Sequence, residues 1–316
     1  MSNTYKPEGL LFLTSENREY ISSIGGLERA MNEGRILEST ALLCDGQMRL
    51  HVDLYGVKGI IEREEAILCR NDEPIKDIAV ITRVGKPVCF KVIGMTVEDG
   101  KPVAILSRRL AQLECLRNYL SGLVCGDIIQ AKVTHLENFG AFVDIGCGIS
   151  SLLSVDCISV SRISHPSDRL SVGDYIYTIV KNIDASNNRI FVSMRELLGT
   201  WEENAAEFES GQTVAGIVRS IESYGVFIEL SPNLAGLAEI REGTKDKDIA
   251  VVGQYAAVYI KSIIPDRMKI KLVMIDSCRL QKNPGSRELR YFTVHHIDRW
   301  RYSPASSSKV IETVFC

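Results

Sequence analysis

Several features that would assign a protein to a particular class are absent from this sequence of 316 residues. No apolar stretch reaches the roughly 18 residues of a spanning helix, and no basic-flanked apolar stretch opens the chain, so neither a membrane span nor a secretion signal is expected. A charge excess is also absent: 37 Lys and Arg stand against 40 Asp and Glu. This balance argues against a uniformly basic nucleic-acid binder. We expect a soluble, cytoplasmic protein that does not engage a membrane.

Metal-binding spacing is absent too, although the chain has nine cysteines. Their number is odd, no two stand at CxxC spacing, and no spaced pair of histidines accompanies them. Reduced, mostly buried thiols are therefore expected, because a tetrahedral zinc site needs clustered ligands. Adjacent His295 and His296 would point to opposite faces of a strand, so they do not indicate a metal site. We expect no metal and no cofactor.

Catalytic motifs are missing as well. The sequence has no Gly-rich phosphate loop, no HExxH and no GxSxG, and no acidic cluster suggests a nuclease metal site. Ser306 and Lys309 have the spacing of a Ser/Lys nucleophile pair, but they lie in a Ser-rich tail without the motifs that accompany such a pair. The sequence therefore predicts a protein that is not an enzyme.

The sequence does contain an internal repeat. Glu137–Leu153 (ENFGAFVDIGCGISSLL) matches Glu222–Ala238 (ESYGVFIELSPNLAGLA), and a fainter copy lies at Met48–Glu62. Each copy is flanked by further short β-branched segments, giving five strands per repeat with turns between them. This pattern predicts a mainly all-β protein of three tandem five-stranded barrels joined by short helical linkers.

The repeats define the domain boundaries. The predicted segments are an N-terminal extension (1–33), a degenerate barrel (34–109), a helical linker (110–124), a barrel (125–196), a linker (197–210), a divergent barrel (211–276) and a basic, aromatic tail (277–316). The first linker places Leu110, Leu113, Leu116 and Leu120 on one helical stripe. The tail contains Tyr291, Phe292, Trp300 and Tyr302 among basic residues. This composition suits either single-stranded nucleic acid or a hairpin packed on the third barrel.

Strand alternation predicts where the repeated Phe lies. In Gly140–Ile145 the aliphatic residues form the inner face, which leaves Phe142 and Asp144 outside. The same pattern places Phe227 and Glu229 outside in the third repeat.

A second ring precedes the glycine in each copy, at Phe139 or Tyr224. A bulge at that glycine would bring both rings onto one surface. Exposed ring pairs suit base stacking, which contributes about 1–3 kcal/mol per base. Core packing of these rings remains the alternative.

The motif is one that a known family shares. The second repeat contains FGAFVDIG, then an apolar strand, a Gly-Asp and IDASNNRIFVS, and it resembles the S1 RNA-binding domain, an OB-fold barrel. The resemblance runs through Gly126–Glu196, covers Gly211–Asp276 less completely, and is weakest in Gly34–Arg109. Tandem copies joined by a Trp-Glu linker at Trp201 resemble ribosomal members of the family. The resemblance implies binding of single-stranded RNA, such as mRNA, and the small ribosomal subunit as partner.

The resemblance also implies an RNA-binding face of two aromatics, a His, an Asp and an Arg. In the second repeat the corresponding residues are Phe139, Phe142, Ser154, Asp184 and Arg189, so Ser replaces the His. In the third they are Tyr224, Phe227, Glu239 and Lys269, and only a displaced Asp266 stands for the Asp. A carboxylate on a phosphate-binding face and a Lys without the guanidinium fork predict a weaker binder.

Other roles remain open at some of these positions. Arg189 could be only a solvated hairpin residue, and Asp184 could cap its turn. In the first repeat, the positions of the two aromatics, the His and the Arg carry Met48, His51, Glu62 and Val103. This repeat is therefore predicted to be structural or to dock a protein. The whole chain could be ribosome-associated, a free regulator of translation or RNA decay, or a protein-interaction scaffold.

Overall fold

The computed structural model describes residues 4–69, 74–184, 186–187, 189–239, 251–278 and 294–315, with the backbone alone over 276–278. Three closed five-stranded barrels follow one another along the chain. The predicted fold class, mainly all-β with tandem OB-fold barrels, is thereby confirmed. Among the described residues, no helix is long and apolar enough to cross a membrane.

The strands of each barrel are short and mostly antiparallel. Barrel one contains β1 (Leu37–Cys44), β2 (Leu50–Leu54), β3 (Val57–Ile61), β4 (Pro87–Glu98) and β5 (Lys101–Ser107). Barrel two contains β6 (Ile128–Glu137), β7 (Gly140–Asp144), β8 (Ser150–Ser154), β9 (Tyr175–Asp184) and β10 (Arg189–Ser193). Barrel three contains β11 (Thr213–Ile221), β12 (Gly225–Ser231), β13 (Leu234–Glu239), β14 (Tyr255–Ile264) and β15 (Lys269–Cys278). In each, the last strand in sequence lies between the third and the fourth.

Short helices and one small hairpin complete the described secondary structure. The helices are α1 (Ser15–Ile21), α2 (Ile24–Glu33), α3 (Asp77–Ile81), α4 (Arg108–Asn118) and α5 (Trp201–Ala205), and the hairpin pairs β16 (Arg299–Arg301) with β17 (Glu312–Val314). The side chain of Ser23 accepts from the backbone N–H of Gly26 and begins α2. Gly34, with φ of 66°, ends it in the left-handed conformation that glycine adopts without a steric penalty.

The apolar stripe predicted for the first linker is wrong. The residues of α4 that are buried are Arg108, Ala111, Gln112 and Cys115, whereas Leu110, Leu113 and Leu116 are only partly buried. The physical reason is close packing: helix α4 turns its small and polar face inward, where Gln112 donates to the carbonyl of Cys147 at 3.1 Å. Leucine spacing alone does not identify which stripe faces the core.

The chain divides into two compact units. The first comprises Met1–Leu123, Gln130–Lys132 and Val143–Ser150, and the second comprises Val124–Ile129, Val133–Phe142 and Ser151–Cys316. Trp201, Trp300, Tyr302 and Phe315 are buried together with the interior residues of barrel three. The described part of the tail therefore packs as a hairpin, which is the second of the two alternatives. Tyr291, Phe292 and the breaker at 282–286 lie outside the described residues.

One register is common to all three barrels where the third strand pairs in parallel with the last. The paired residues are Ile60 with Ile105, Leu152 with Phe191, and Leu237 with Lys271. Two residues before these last-strand members stand Val103, Arg189 and Lys269, the positions that the sequence alignment equates. The barrels therefore present corresponding residues at corresponding places.

Candidate nucleic-acid interface

The glycine of the repeated motif is required by close strand packing. A Cβ at Gly140 would lie 2.4 Å from the carbonyl oxygen of Leu153 and 2.9 Å from Cα of Ser154. At Gly225 a Cβ would lie 2.7 Å from the carbonyl oxygen of Ala238. No side chain fits at either position without moving backbone. The third strand of each barrel therefore crosses directly over the entry of the second.

Each of these glycines separates two aromatic rings that meet on the surface. The rings of Phe139 and Phe142 lie 6.0 Å apart at 88°, and those of Tyr224 and Phe227 lie 6.2 Å apart at 89°. This is the edge-to-face geometry that aromatic pairs prefer. Phe139 is 55% exposed and Tyr224 is 59% exposed, whereas their partners are half-buried. Both barrels thus present the same paired rings, as expected from a bulge at the glycine.

The basic position of the site opens the last strand of each of these two barrels. Arg189 and Lys269 are both exposed there. Val103, at the same register in barrel one, is 1% exposed and belongs to the core. A cation is therefore available on this face in barrels two and three, and barrel one has none at that position.

Asp184 is committed to its own turn. Its carboxylate accepts hydrogen bonds from Ser186 Oγ at 2.5 Å and from Asn187 Nδ2 at 2.8 Å and backbone N–H at 3.2 Å. These hydrogen bonds lower the pKa of Asp184 to about 2. Of the two roles left open for this residue, the structure shows the capping of the β9–β10 turn.

The position of the family's His is occupied differently in the two barrels. Ser154 is half-buried, lies against Gly140 and donates a hydrogen bond to Asp156. Glu239 is exposed, with Oε1 3.8 Å from Nζ of Lys271. Sequence reasoning missed Lys271, although alternation from Lys269 places both on one face of β15.

The carboxylates predicted to flank the rings are not exposed, and that part of the alternation argument is wrong. Asp144 is buried and accepts from the backbone N–H groups of Glu8 at 2.7 Å, Gly146 at 2.8 Å and Gly148 at 2.9 Å. Burial raises the pKa of Asp144 to about 7. Alternation shows which side of a strand a residue occupies, and other segments decide whether that side is covered.

Glu229 is buried for the same reason, beneath two arginines. Arg219 Nε donates to Glu229 Oε2 at 2.6 Å, and Arg169 donates to the same oxygen. Arg219 Nη1 also lies 3.4 Å from Asp168 Oδ2. The loop between β8 and β9 therefore covers the outer surface of β12 just beyond its ring pair.

A third ring stands beside the pair in barrel two. The imidazole of His135, on β6, is stacked on Phe142 with centroids 6.4 Å apart and an angle of 25°. Its Nε2 lies 2.7 Å from Glu137 Oε1. Sequence reasoning missed this residue because the motif was aligned along β7 only. Antiparallel pairing would have found it, since Thr134 beside it donates to the carbonyl of Phe142 at 3.0 Å.

Barrel one has no comparable surface. Met48 lies in the β1–β2 turn with φ of 62°, and His51 Nε2 lies 2.9 Å from Asp45 Oδ2. The described residues also contain no group of three or more His, Cys, Asp or Glu side chains that could hold a metal ion. What barrels two and three share is therefore an aromatic surface with a nearby cation.

Comparison with known protein families identifies this arrangement in barrel two. Residues 125–195 match the S1 RNA binding domain. This match confirms the resemblance read from the sequence, and it covers the barrel with the ring pair, Ser154 and Arg189.

Curated relatives extend the similarity beyond that barrel. The chain is 35% identical over 162 residues to small ribosomal subunit protein bS1 of Staphylococcus saprophyticus, a match that covers 48% of this chain and 40% of the relative. It is 28% identical over 232 residues to bS1 of Rhizobium meliloti, covering 70% of this chain and 39% of the relative. The matches thus span less than half the length of these curated relatives.

Among solved structures, a multidomain protein with nucleic acid binding domains from Streptococcus pneumoniae is 16% identical, with 76% of this chain and 73% of that chain covered. The TM-score of 0.24 does not establish a shared overall arrangement.

Proposed function

We propose that this chain is a non-catalytic binder of single-stranded RNA, with barrel two as the main site and barrel three as a weaker one. The observation that carries the proposal is the exposed, edge-to-face ring pair, present twice at the same register and each time with an exposed cation on the last strand. Every base has a π-face, so such a surface binds single strands with little sequence preference.

Stacking supplies more of the affinity than charge does. Repeat two carries six basic and eight acidic residues over 125–196, and the chain as a whole has a formal charge of −3. Asp184 is held in its turn, so the contacts proposed for barrel two come from Phe139, Phe142, Ser154 and Arg189. In barrel three they come from Tyr224, Phe227 and Lys269, with Glu239 opposing the phosphates.

Barrel one serves a different purpose in this proposal. It has neither the ring pair nor the cation, and Leu42 and Leu43 are exposed on β1 beside His51. An apolar surface of this kind suits a protein partner better than RNA. Barrel one would therefore dock the chain on a protein.

A role at the small ribosomal subunit in the cytoplasm, with mRNA as the RNA, is supported by the names of the curated relatives. The rival is a free RNA-binding regulator of translation or RNA decay. Co-sedimentation with purified small subunits separates the two: a chain that never sediments with them is the free regulator.

The binding test uses a fluorescein-labelled, unstructured RNA of twelve nucleotides and the full chain. The double variant Phe142→Ala, Arg189→Ala should lose most of the affinity, and His51→Ala in barrel one should change it little. An undiminished double variant would overturn the site. A wild-type chain without salt-dependent RNA affinity would instead favour the protein-interaction scaffold.

A further inference from the structure

His135 carries an inference that goes beyond the residues assigned by family resemblance. We infer that His135 is a third RNA-contacting ring of barrel two and compensates there for the loss of the family's His at Ser154. The inference rests on the proposed function, because it adds a contact to the same RNA-binding face.

The geometry of the three rings decides which surfaces a base can reach. Phe142 is half-buried, with the edge contact to Phe139 on one side and the stacked imidazole of His135 on the other. The side chain of His135 is 62% exposed, and Phe139 is 55% exposed. Phe142 therefore supports the outer rings, and the surfaces open to bases are those of Phe139 and His135.

The contact with Glu137 holds the imidazole in place. A carboxylate is an acceptor, so Nε2 of His135 carries the proton that is donated to Glu137 Oε1 at 2.7 Å. In the neutral ring, Nδ1 is then an acceptor, with no partner among the described residues. The ring can stack on one base and accept a hydrogen bond from an amino or imino group of a neighbouring base.

Barrel three lacks this third ring. The residue opposite Phe227 on β11 is Ser220, which cannot stack. Barrel three thus has neither a His at Glu239 nor a ring at Ser220, whereas barrel two retains one of the two. This difference makes barrel two the better binder, independently of the carboxylate at Glu239.

The test compares His135→Ala with His135→Phe in the full chain, using unstructured RNA of twelve nucleotides and fluorescence anisotropy. Loss of one stacked base corresponds to about a 5-fold to 30-fold loss of affinity, and this is expected for His135→Ala. His135→Phe should keep most of the affinity because it keeps the ring. His165→Ala, at another exposed histidine of the same unit, is the matched control and should bind like the wild type.

The result that overturns the inference is a His135→Ala chain that is folded and binds as the wild type does. A His135→Phe chain that loses as much affinity as His135→Ala also overturns it, because the ring would then not be the contact. Phe139→Ala, measured in parallel, keeps the two proposals distinguishable. If it loses affinity while His135→Ala does not, only the present inference fails, and if neither does, the proposed RNA-binding face fails as well.

Discussion

Tyr302 donates its hydroxyl to the backbone carbonyl of Asn233 at 2.6 Å, in a buried contact that fastens the C-terminal hairpin to barrel three. The Asn233 side chain is itself fully bonded. Its Oδ1 accepts from the backbone N–H of Val160 at 2.9 Å, and its Nδ2 donates to the carbonyls of Arg195 and Gly199, both at 2.8 Å. One buried amide thus connects barrel two, the linker before α5 and barrel three.

Removal of that amide should loosen the second unit. Asn233→Ala leaves three buried backbone groups without a partner, and we expect it to lower the free energy of unfolding by at least about 2 kcal/mol. Trp201 and Trp300 are the two tryptophans of the chain and both are buried in this unit, so urea unfolding followed by tryptophan fluorescence measures the change. Tyr302→Phe should cost about 1 kcal/mol, and Tyr259→Phe, at an exposed tyrosine, should cost almost nothing.

The first unit contains a buried ion pair that should respond differently to single and double substitution. Arg108 donates from Nε to Glu8 Oε1 at 2.7 Å and from Nη2 to Oε2 at 3.1 Å, and both side chains are buried. Arg108→Met would leave a carboxylate buried without this partner, at a cost of about 3–5 kcal/mol. Adding Glu8→Gln should restore part of the loss. Hydrogen exchange of β4, which accompanies the pair through the Cys89 N–H bond to Glu8 at 3.1 Å, reports it.

The stability of the first unit should fall as the pH rises. Burial raises the pKa of Glu38 to about 7, as it does for Asp144. In an unfolded chain these carboxyls titrate near pH 4, so between about pH 4 and 7 the folded state holds protons that the unfolded state has released. Stability from these groups is therefore complete below about pH 4 and is lost as the pH passes through 7.

Hydrogen exchange of α4 and β4 at several values of pH from 5 to 8 would measure this slope. Asp144→Asn should make it shallower, whatever its effect on stability at a single pH. A slope that the substitution leaves unchanged would show that Asp144 ionises in the folded state as it does in the unfolded one.

The carboxylate of Glu239 should limit RNA binding by barrel three. It lies 3.8 Å from the ammonium group of Lys271 on the face that holds Lys269, so it competes with phosphate for the cation. Glu239→Gln should strengthen RNA binding by a few-fold and make the dependence on salt steeper, by about 0.7 log units per phosphate gained. Glu209→Gln, in the linker, provides the same change of charge as a control. Equal gains in both variants would mean that net charge alone is responsible.

The strands were predictable from sequence, because β-branched alternation and turn residues recur three times and each copy supports the others. The ring pairs followed from one glycine, since only a residue without Cβ fits beneath Leu153 or Ala238. What covers the outside of a strand could not be predicted. Asp144 is covered by the segment at Glu8, more than a hundred residues earlier, and Glu229 by Arg169, so both carboxylates were wrongly expected in solvent. His135 escaped notice because it belongs to the neighbouring strand.

The most direct test of the RNA-binding face removes both exposed rings. The double variant Phe139→Ala, Tyr224→Ala takes away side chains that are largely in solvent, so the fold should survive, as circular dichroism can verify. Equilibrium binding of a labelled twelve-nucleotide single strand to the full chain should then weaken by at least about 30-fold, equivalent to one stacked base lost in each barrel. Tyr55→Ala, at an exposed ring of barrel one, should leave affinity unchanged. A folded double variant that binds RNA as tightly as the wild type would contradict the account.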